Sequence, residues 1–574
     1  MRDIDDNISD DPRNDDSDDA NGSEVSDAVV WRSEIKKEAA ERAKKQPILR
    51  RIIKSLSRSD KVFRELILSC ELTENRVALL EDGILENYEF EYLNEKSPVG
   101  AIFRGKIQNL EPGLKAAFVD IGEEKNTFLH YWDILPAAND KTFEVIRKNT
   151  SKQRKNITLK DIPRIYSVGT DIIVQIIKGQ IGTKGPRVTT NISLPGKCLV
   201  LMPFSDECGI SKRIDDGKER NRLKDILNKL TIPDGMGVIV RTAGIGKKAR
   251  HFVRDLHILL QTWNDIMERY EKNSKPTLLH EEPDLVERTV RDFLTDDVDR
   301  IIVNDSSTFD RMLHLVSAIS PRSKQKFHLF TENIPLFDRF NVERQIEQTF
   351  ASRVPLACGG EIVINETEAL TSIDVNTRNH RSKKKDSGHF IFDVNFEAGK
   401  EIARQLRLRN IGGLIVIDFV DMVDRRDRTN IFNLMRTELS KDRAKNFVLP
   451  ISQLGLMEIS RQRHSQSNNS EMRTVCQYCG GDGLVKSPRT MCNEIYRKLA
   501  ECLQQKRGKF QTNEKIKLKI TLNGEVLERM KNDERSLVAV ENKFNAKLMF
   551  RSDTSLHMEK YKIVDMMEAE DSRD

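Results

Sequence analysis

No stretch of this chain reaches the roughly 20 consecutive apolar residues that a membrane-spanning helix needs. The N-terminus is acidic and lacks the basic, apolar and small-residue regions of a signal peptide. Cysteine is sparse: eight in 574 residues, at positions 70, 198, 208, 358, 476, 479, 492 and 502, with one tight pair. That spacing excludes a secreted disulfide framework and favours a reducing cytoplasm. A second C-x-x-C is absent, and so is the full glycine fingerprint of a dinucleotide site.

What is present is charge, unevenly placed. The formal net charge is +5, but residues 1–30 hold eleven acidic and only two basic side chains. The other 544 residues carry 93 basic and 79 acidic groups, a net of +14. A basic body favours a polyanionic partner, nucleic acid before a membrane surface. The length leaves room for roughly four domains with ample core.

Along the chain, residues 1–30 read as a disordered Asp/Ser/Asn tail. The basic segment 31–64 reads as a helix that touches RNA or simply lies solvated on the surface. Short β-rich runs with Asp82-Gly83 at a turn make a small sheet of 65–98. Residues 99–190 read as a β-barrel of the oligonucleotide-binding (OB) type, in which Phe118, Phe128 and Lys184 would offer stacking platforms beside a cation. The competing expectation is that both rings are core. The polar, basic stretch Ala137–Ile157 reads as a loop inserted in this barrel. In 191–285, Gly244-Ile245-Gly246 with Arg241 and Thr242 suits either a phosphate pocket or a tight turn. Residues 286–350 alternate helix and strand.

The stretch richest in chemistry lies within 351–472. Two apolar segments from Gly359 to Asn376 read as a hairpin, so Asp374 and Asn376 project to one side. A helix follows from about Phe392 to Arg409, with Asp393 and Asn395 as N-cap candidates. Leu414–Asp421 then reads as a strand buried on both faces and interrupted by Asp418. A buried carboxylate costs several kcal/mol unless it is paired or holds a metal. Asp374, Asn376 and Asp418 therefore suit a hard cation such as Mg²⁺ that keeps waters for a phosphate substrate, or else Asp374 and Asp418 cap strands or pair with arginines. The basic run Arg381 to Lys385 reads as a solvated loop within reach of phosphates. In 473–486, Cys476-Gln477-Tyr478-Cys479 is half of a zinc knuckle, to be completed by His464, Cys492, Cys502 or another subunit. Residues 487–574 read as a small α+β domain.

Gly359-Gly360, Thr367–Thr371, Ile373–Asn376, Glu401–Arg409, Gly412–Phe419 and Cys476–Gly481 together resemble the ribonuclease E/G family, with similarity running from about Glu65 to near Asp565. The resemblance implies a multidomain α+β protein. An OB-type RNA-binding barrel (99–190) is inserted in an RNase H-like subdomain (65–98 and 286–350), with a 5′-sensor region (191–285) next to it. A DNase I-like catalytic subdomain (351–472), a zinc link and a small C-terminal domain follow. It implies a bacterial, Mg²⁺-dependent, single-strand-specific endoribonuclease of rRNA processing and mRNA decay, preferring 5′-monophosphorylated RNA and leaving 5′-phosphate products. Asp374 and Asp418 match its Mg²⁺ carboxylates and Asn376 its positioning residue. Phe118, Phe128 and Lys184 match its RNA grip, and Val200, Arg241 and Thr242 its 5′-phosphate pocket, with Lys445 where an arginine can stand. Cys476 and Cys479 match a structural Zn²⁺ shared between two chains, giving a homodimer or homotetramer. The expected partners are single-stranded rRNA precursors and mRNA, without a scaffold tail for degradosome partners. The competing class is a non-catalytic RNA-binding assembly protein on the same fold.

Overall fold

The computed structural model describes residues 18–44, 62–94, 98–134, 143–149, 159, 161–180, 185–214, 216–294, 297–319, 321–377, 387–462, 467–509 and 515–566. The chain divides into two compact units, 1–469 and 470–574.

Among the described residues the larger unit holds four sheets. In the first, Arg64–Cys70 sits between the parallel Arg300–Val303 and the antiparallel Glu74–Glu81, and Ile84–Tyr92 and Phe327–Leu329 form the edges. Two segments about 200 residues apart in sequence thus share one sheet, and the chain between them forms the barrel. There, Ile102–Glu111 pairs on one side with Ala116–Asp120 and on the other with Asp171–Lys178. Thr127–His130 and Arg187–Thr189 close the ring. These five strands make a closed barrel, consistent with an OB-type fold, filled by Phe103, Ile107, Val119, Leu129, Val174 and Val188. Gly105 is required at one crossing, where an added Cβ would lie 2.5 Å from Val119 Cγ1.

A third sheet runs Leu194–Pro195, Leu199–Met202, Gly237–Val240, Glu207–Ser211 and Phe143–Lys148. Its edge strand corrects the reading of Ala137–Ile157 as a loop. Phe143 is buried, and its strand pairs antiparallel with Glu207–Ser211 rather than with the barrel. Alternation around Val145 and Ile146 is masked there by charged neighbours, as happens at an edge strand with one wet face.

The fourth sheet orders Arg353–Pro355, Glu361–Glu366, Leu370–Asn376, Gly413–Asp418, Leu456–Arg461 and Asn446–Val448. The helices Ser387–Leu408 and Arg425–Ser440 cover one face, packing Val394, Ile402, Leu406, Ile431 and Met435 onto Ile373, Val375, Ile415, Ile417 and Ile459. The opposite face is open. Leu414–Asp421 is therefore not buried on both faces: Leu414 is 46% exposed and Asp418 is exposed, while Ile415 and Ile417 are buried. The alternation is real, but apolar Leu414 and Val416 on the outer face conceal it. The helix beneath also starts earlier than Phe392, which places Asp393 and Asn395 in its interior rather than at its N-cap.

The N-terminal reading is corrected as well. A helix spans Asp18–Lys44, so residues 18–30 belong to a helix and only 1–17 of the acidic tail lie outside the described residues. Trp31, Ile35 and Ala39, spaced i, i+4, i+8, share one face and are buried. Ile35 lies so close to the Asp82-Gly83 turn that a Cβ on Gly83 would fall 2.7 Å from Ile35 Cγ2. Arg344 stacks on Trp31 at 4.5 Å, and Arg42 donates to buried Glu65 at 2.9 and 3.0 Å. Arg32 lies 3.7 Å from Glu401. Enclosure of Glu401 favours its neutral form, but Arg404 and then Arg32 outweigh it and bring its pKa down to about 2. This helix is packed on the body rather than lying solvated on its surface.

In the smaller unit the helix Pro488–Lys509 packs Met491, Ile495, Leu499 and Leu503 against Leu518, Ile520 and Leu522 of a three-stranded sheet.

Ile35→Ala should accelerate hydrogen exchange of the Trp31–Lys44 amides by about thirtyfold or more, equivalent to about 2 kcal/mol of lost packing. Unchanged exchange, read by mass spectrometry of peptides from that helix, would mean that Ile35 does not anchor it.

Candidate active site and nucleic-acid interface

On the open face of the fourth sheet, Leu370–Asn376 and Gly413–Asp418 run parallel with Asp374 registered on Asp418. Neighbouring strands lie about 4.8 Å apart, so two carboxylates stand side by side. Both are exposed, and among the described residues neither has a basic partner. No described arginine pairs with these aspartates; Arg378 and Arg381, just past Asn376, lie outside the described residues. Asn376, two residues along the same face, donates from Nδ2 to Asp374 Oδ2 at 2.7 Å. Ser372 and Glu458 lie on this face too. Like charges set opposite each other destabilise a ladder, so the arrangement favours a bound cation. Two carboxylates and an amide suit a hard divalent ion that keeps most of its waters. Among the described residues no group of three or more His, Cys, Asp or Glu side chains forms a denser metal cage.

Two side chains from the helix below fix this face, and the sequence reading assigned neither to it. Asn395 is fully buried; its Nδ2 donates to Val420 O at 2.8 Å, and its Oδ1 accepts from Val420 N at 3.1 Å. It closes both backbone valences of the chain just after Asp418. Glu397 accepts from Ala357 N at 2.6 Å and Cys358 N at 2.9 Å, holding the turn before Glu361–Glu366. A Cβ on Gly360 would meet Asn376 O at 2.9 Å, so the approach of that turn to Asn376 requires glycine. The signal in the sequence was Asn395 inside an apolar helical stretch, where asparagine is poorly suited unless its amide is used.

On the barrel, Phe118 and Phe128 are register partners on adjacent strands, their rings edge to face at 5.9 Å. Both are half-buried and outside the barrel core, so the core reading does not hold for them. His130 continues the row at 6.3 Å from Phe128. Lys184 and the Arg381–Lys385 run lie outside the described residues.

In the third sheet Val200 registers on Ile239, with Arg241 two residues further on. Arg241 donates to Asp292 Oδ1 at 2.8 Å and to the Gly196 carbonyl. Burial works against ionisation of Asp292, but Arg291 and Arg241 outweigh it and hold its carboxyl below the ordinary range. Arg443 donates to Asp292 O at 3.1 Å, which brings the segment carrying Lys445 to the same place. Arg213 clamps that segment through the carbonyls of Asp442, Arg443 and Ala444. Thr242 is exposed at the start of the next turn. The Gly246 amide already serves Glu219 at 2.8 Å, so the G-x-G itself is a turn with an internal anion.

In the smaller unit Cys476 is exposed and Cys479 half-exposed. Amides of Cys479 and Tyr478 hold the Cys476 thiol below its ordinary pKa, and Gly483 N donates to Cys479 Sγ at 3.2 Å. The first favours a thiolate at Cys476. Cys492, one of the in-chain alternatives, is instead a core residue that donates to Val526 O, and burial pushes its thiol up. His464 lies outside the described residues.

A family model described as "Ribonuclease E/G family" matches residues 193–464. The chain is 37% identical over 438 residues to "Ribonuclease G" of Escherichia coli (strain K12), covering 76% of this chain and 87% of that protein. It is 36% identical over 438 residues to "Ribonuclease G" of Haemophilus influenzae, with the same coverage. Against "Ribonuclease E" of Escherichia coli (strain K12) the identity is 40% over 441 residues, 76% of this chain but 40% of that protein.

Asn395→Leu leaves the Val420 amide and carbonyl without their partners, at a cost of about 1–3 kcal/mol. Hydrogen exchange should quicken in the peptide covering Asp418–Met422 while the rest of the sheet stays protected. Equal exchange in parent and variant would show that this contact holds nothing.

Proposed function

The chain belongs to the ribonuclease E/G family of endoribonucleases, and from that premise we propose that it is a Mg²⁺-dependent, single-strand-specific enzyme of rRNA processing and mRNA decay, acting in the bacterial cytoplasm. Among the described residues no helix is long and apolar enough to cross a membrane. We read the first sheet as RNase H-like and the fourth, with its two helices, as a DNase I-like catalytic subdomain. The observation that carries the reading is the side-by-side pair Asp374 and Asp418 on an uncovered sheet face, with no cationic partner among the described residues.

Asp374 and Asp418 would hold the magnesium, and Asn376 fixes which oxygen of Asp374 is left for it. A bound Mg²⁺ supplies a Lewis acid that polarises a phosphoryl oxygen and lowers the pKa of water. Hydrolysis then leaves a 5′-phosphate and a 3′-hydroxyl. The open face admits a phosphodiester from solvent, which a covered sheet would exclude. The half-exposed Phe118 and Phe128 present rings on which unpaired bases stack, with Lys184 as their cation. A duplex hides those base faces, which accounts for single-strand preference. Val200, Arg241, Thr242 and Lys445 would form the 5′-monophosphate pocket. Because Arg241 already serves Asp292, and lysine lacks the fork that arginine offers, a modest 5′ preference is expected.

Asp374→Asn or Asp418→Asn should lower cleavage of a single-stranded oligonucleotide by roughly a hundredfold or more while RNA binding survives. EDTA should abolish cleavage by the parent. The same assay with 5′-phosphate and 5′-hydroxyl ends should show a difference that Arg241→Ala removes; equal rates in the parent would rule out a 5′ sensor. Full activity in either aspartate variant rules out the metal assignment, and RNA binding by the parent without any cleavage would indicate the assembly-protein reading.

Two thiolates per chain are half of a tetrahedral zinc set, so we propose that Cys476 and Cys479 meet their counterparts from a second copy, giving a dimer or tetramer. Metal analysis should find one zinc per two chains in the parent and near none in Cys476→Ser. One zinc per chain would mean that the site closes within a single copy.

A further inference from the structure

The chain contains three tryptophans, and two are core: Trp31 is 8% and Trp263 is 4% exposed. Trp132 is 60% exposed. It sits in the short turn Tyr131–Asp133 that follows the barrel strand Thr127–His130, directly after the aromatic row of Phe118, Phe128 and His130.

The turn is held from several sides. Trp132 N donates to His130 Nδ1 at 3.2 Å, and Tyr131, buried, donates its amide to Lys115 O at 2.8 Å. Arg187 clamps Asp133 through two bonds of 3.0 and 2.8 Å, and Asp133 O accepts from Thr190 N at 3.1 Å and Thr189 Oγ1 at 3.0 Å. The indole thus stands in water on a preorganised backbone. That lowers the entropic cost of using it for binding, and a large aromatic on a rigid support is a favourable contact surface.

We propose that Trp132 is a further RNA-binding residue, on which an unpaired base stacks, extending the Phe118, Phe128 and His130 row by one nucleotide. The proposal rests on the reading of the barrel as the single-strand grip. Stacking on an indole tolerates any base, so it adds length to the footprint and not sequence preference.

The test is a titration of the full chain with a labelled single-stranded RNA oligonucleotide, in EDTA so that the strand stays intact. Trp132 is the only exposed indole, so RNA should quench the emission that acrylamide reaches in the free protein, and Trp132→Phe should abolish that response. By anisotropy, Trp132→Ala should weaken binding by roughly fivefold or more. The slope of affinity against salt should be unchanged, because no phosphate contact is lost. Trp132→Phe should retain most of the affinity, whereas Trp132→Leu, apolar but without a stacking face, should not. If Phe118→Ala weakens binding while Trp132→Ala binds like the parent with no quench in the parent, the proposal is wrong and the barrel reading stands. If Phe118→Ala also binds like the parent, the barrel reading has failed and the proposal falls with it. A change of oligomer mass in Trp132→Ala with RNA affinity intact would assign the indole to a protein contact and overturn the proposal.

Discussion

The parallel pairing of Leu370–Asn376 with Gly413–Asp418 is the constraint on which the site depends. One step of register either way would send Asp374 and Asp418 to opposite faces, since side chains alternate along a strand. The register is fixed from the other side of the sheet, where Ile373, Val375, Ile415 and Ile417 are sealed beneath two helices. The apolar core thus determines where the charges stand, although it touches none of them. Asn395 and Glu397 carry the same positioning into the loops, since their side chains satisfy backbone groups just after Asp418 and in the turn before Glu361–Glu366.

How much of this the sequence disclosed depends on how local the determining signal was. Asp374 and Asn376 were placed on one face by period-two alternation alone, and they do share it. Asp418 stands out in the sequence as a carboxylate inside an apolar run, but the structure leaves it exposed. Leu414 and Val416 made its strand look doubly buried, yet they lie on the outer, open face. Asp418 is thus set apart by an open face on which no described residue pairs with it, not by desolvation. Asn395 reads as a cap because asparagine favours that role and the true helix start is not marked by an apolar residue. Its partner Val420 is 25 residues away, and no local pattern reports such a bond. The same holds for Arg241, visible as a cation but not as the partner of Asp292, 51 residues on.

The N-terminal helix shows a signal that was present but outweighed. Trp31, Ile35 and Ala39 have the spacing of a buried stripe, yet the charge around them reads as a helix that touches RNA or lies solvated on the surface. That charge is itself structural. Arg42 meets Glu65 of the first sheet, and Arg32 approaches Glu401 on the helix that covers the fourth. Each carboxylate is enclosed by the body, where an unpaired charge is expensive. The helix thereby joins two sheets that are distant in sequence, and it does so through charges that composition alone would assign to solvent.

The division of labour between the barrel and the fourth sheet follows from what each leaves uncovered. Both have a complete apolar core, so neither exposed surface is needed for folding. The barrel exposes rings, on which bases would stack without regard to sequence. The sheet exposes carboxylates, which repel phosphate unless a cation intervenes. An RNA strand gripped by the barrel would therefore be drawn to the carboxylates only when the metal is bound, so the metal would govern local approach of the backbone as well as its cleavage. A protein selected only to bind RNA would gain from basic groups at those two positions, and the aspartates would weaken it. Their presence on an otherwise available face is the physical argument for the proposed role of this face in cleavage rather than in binding alone.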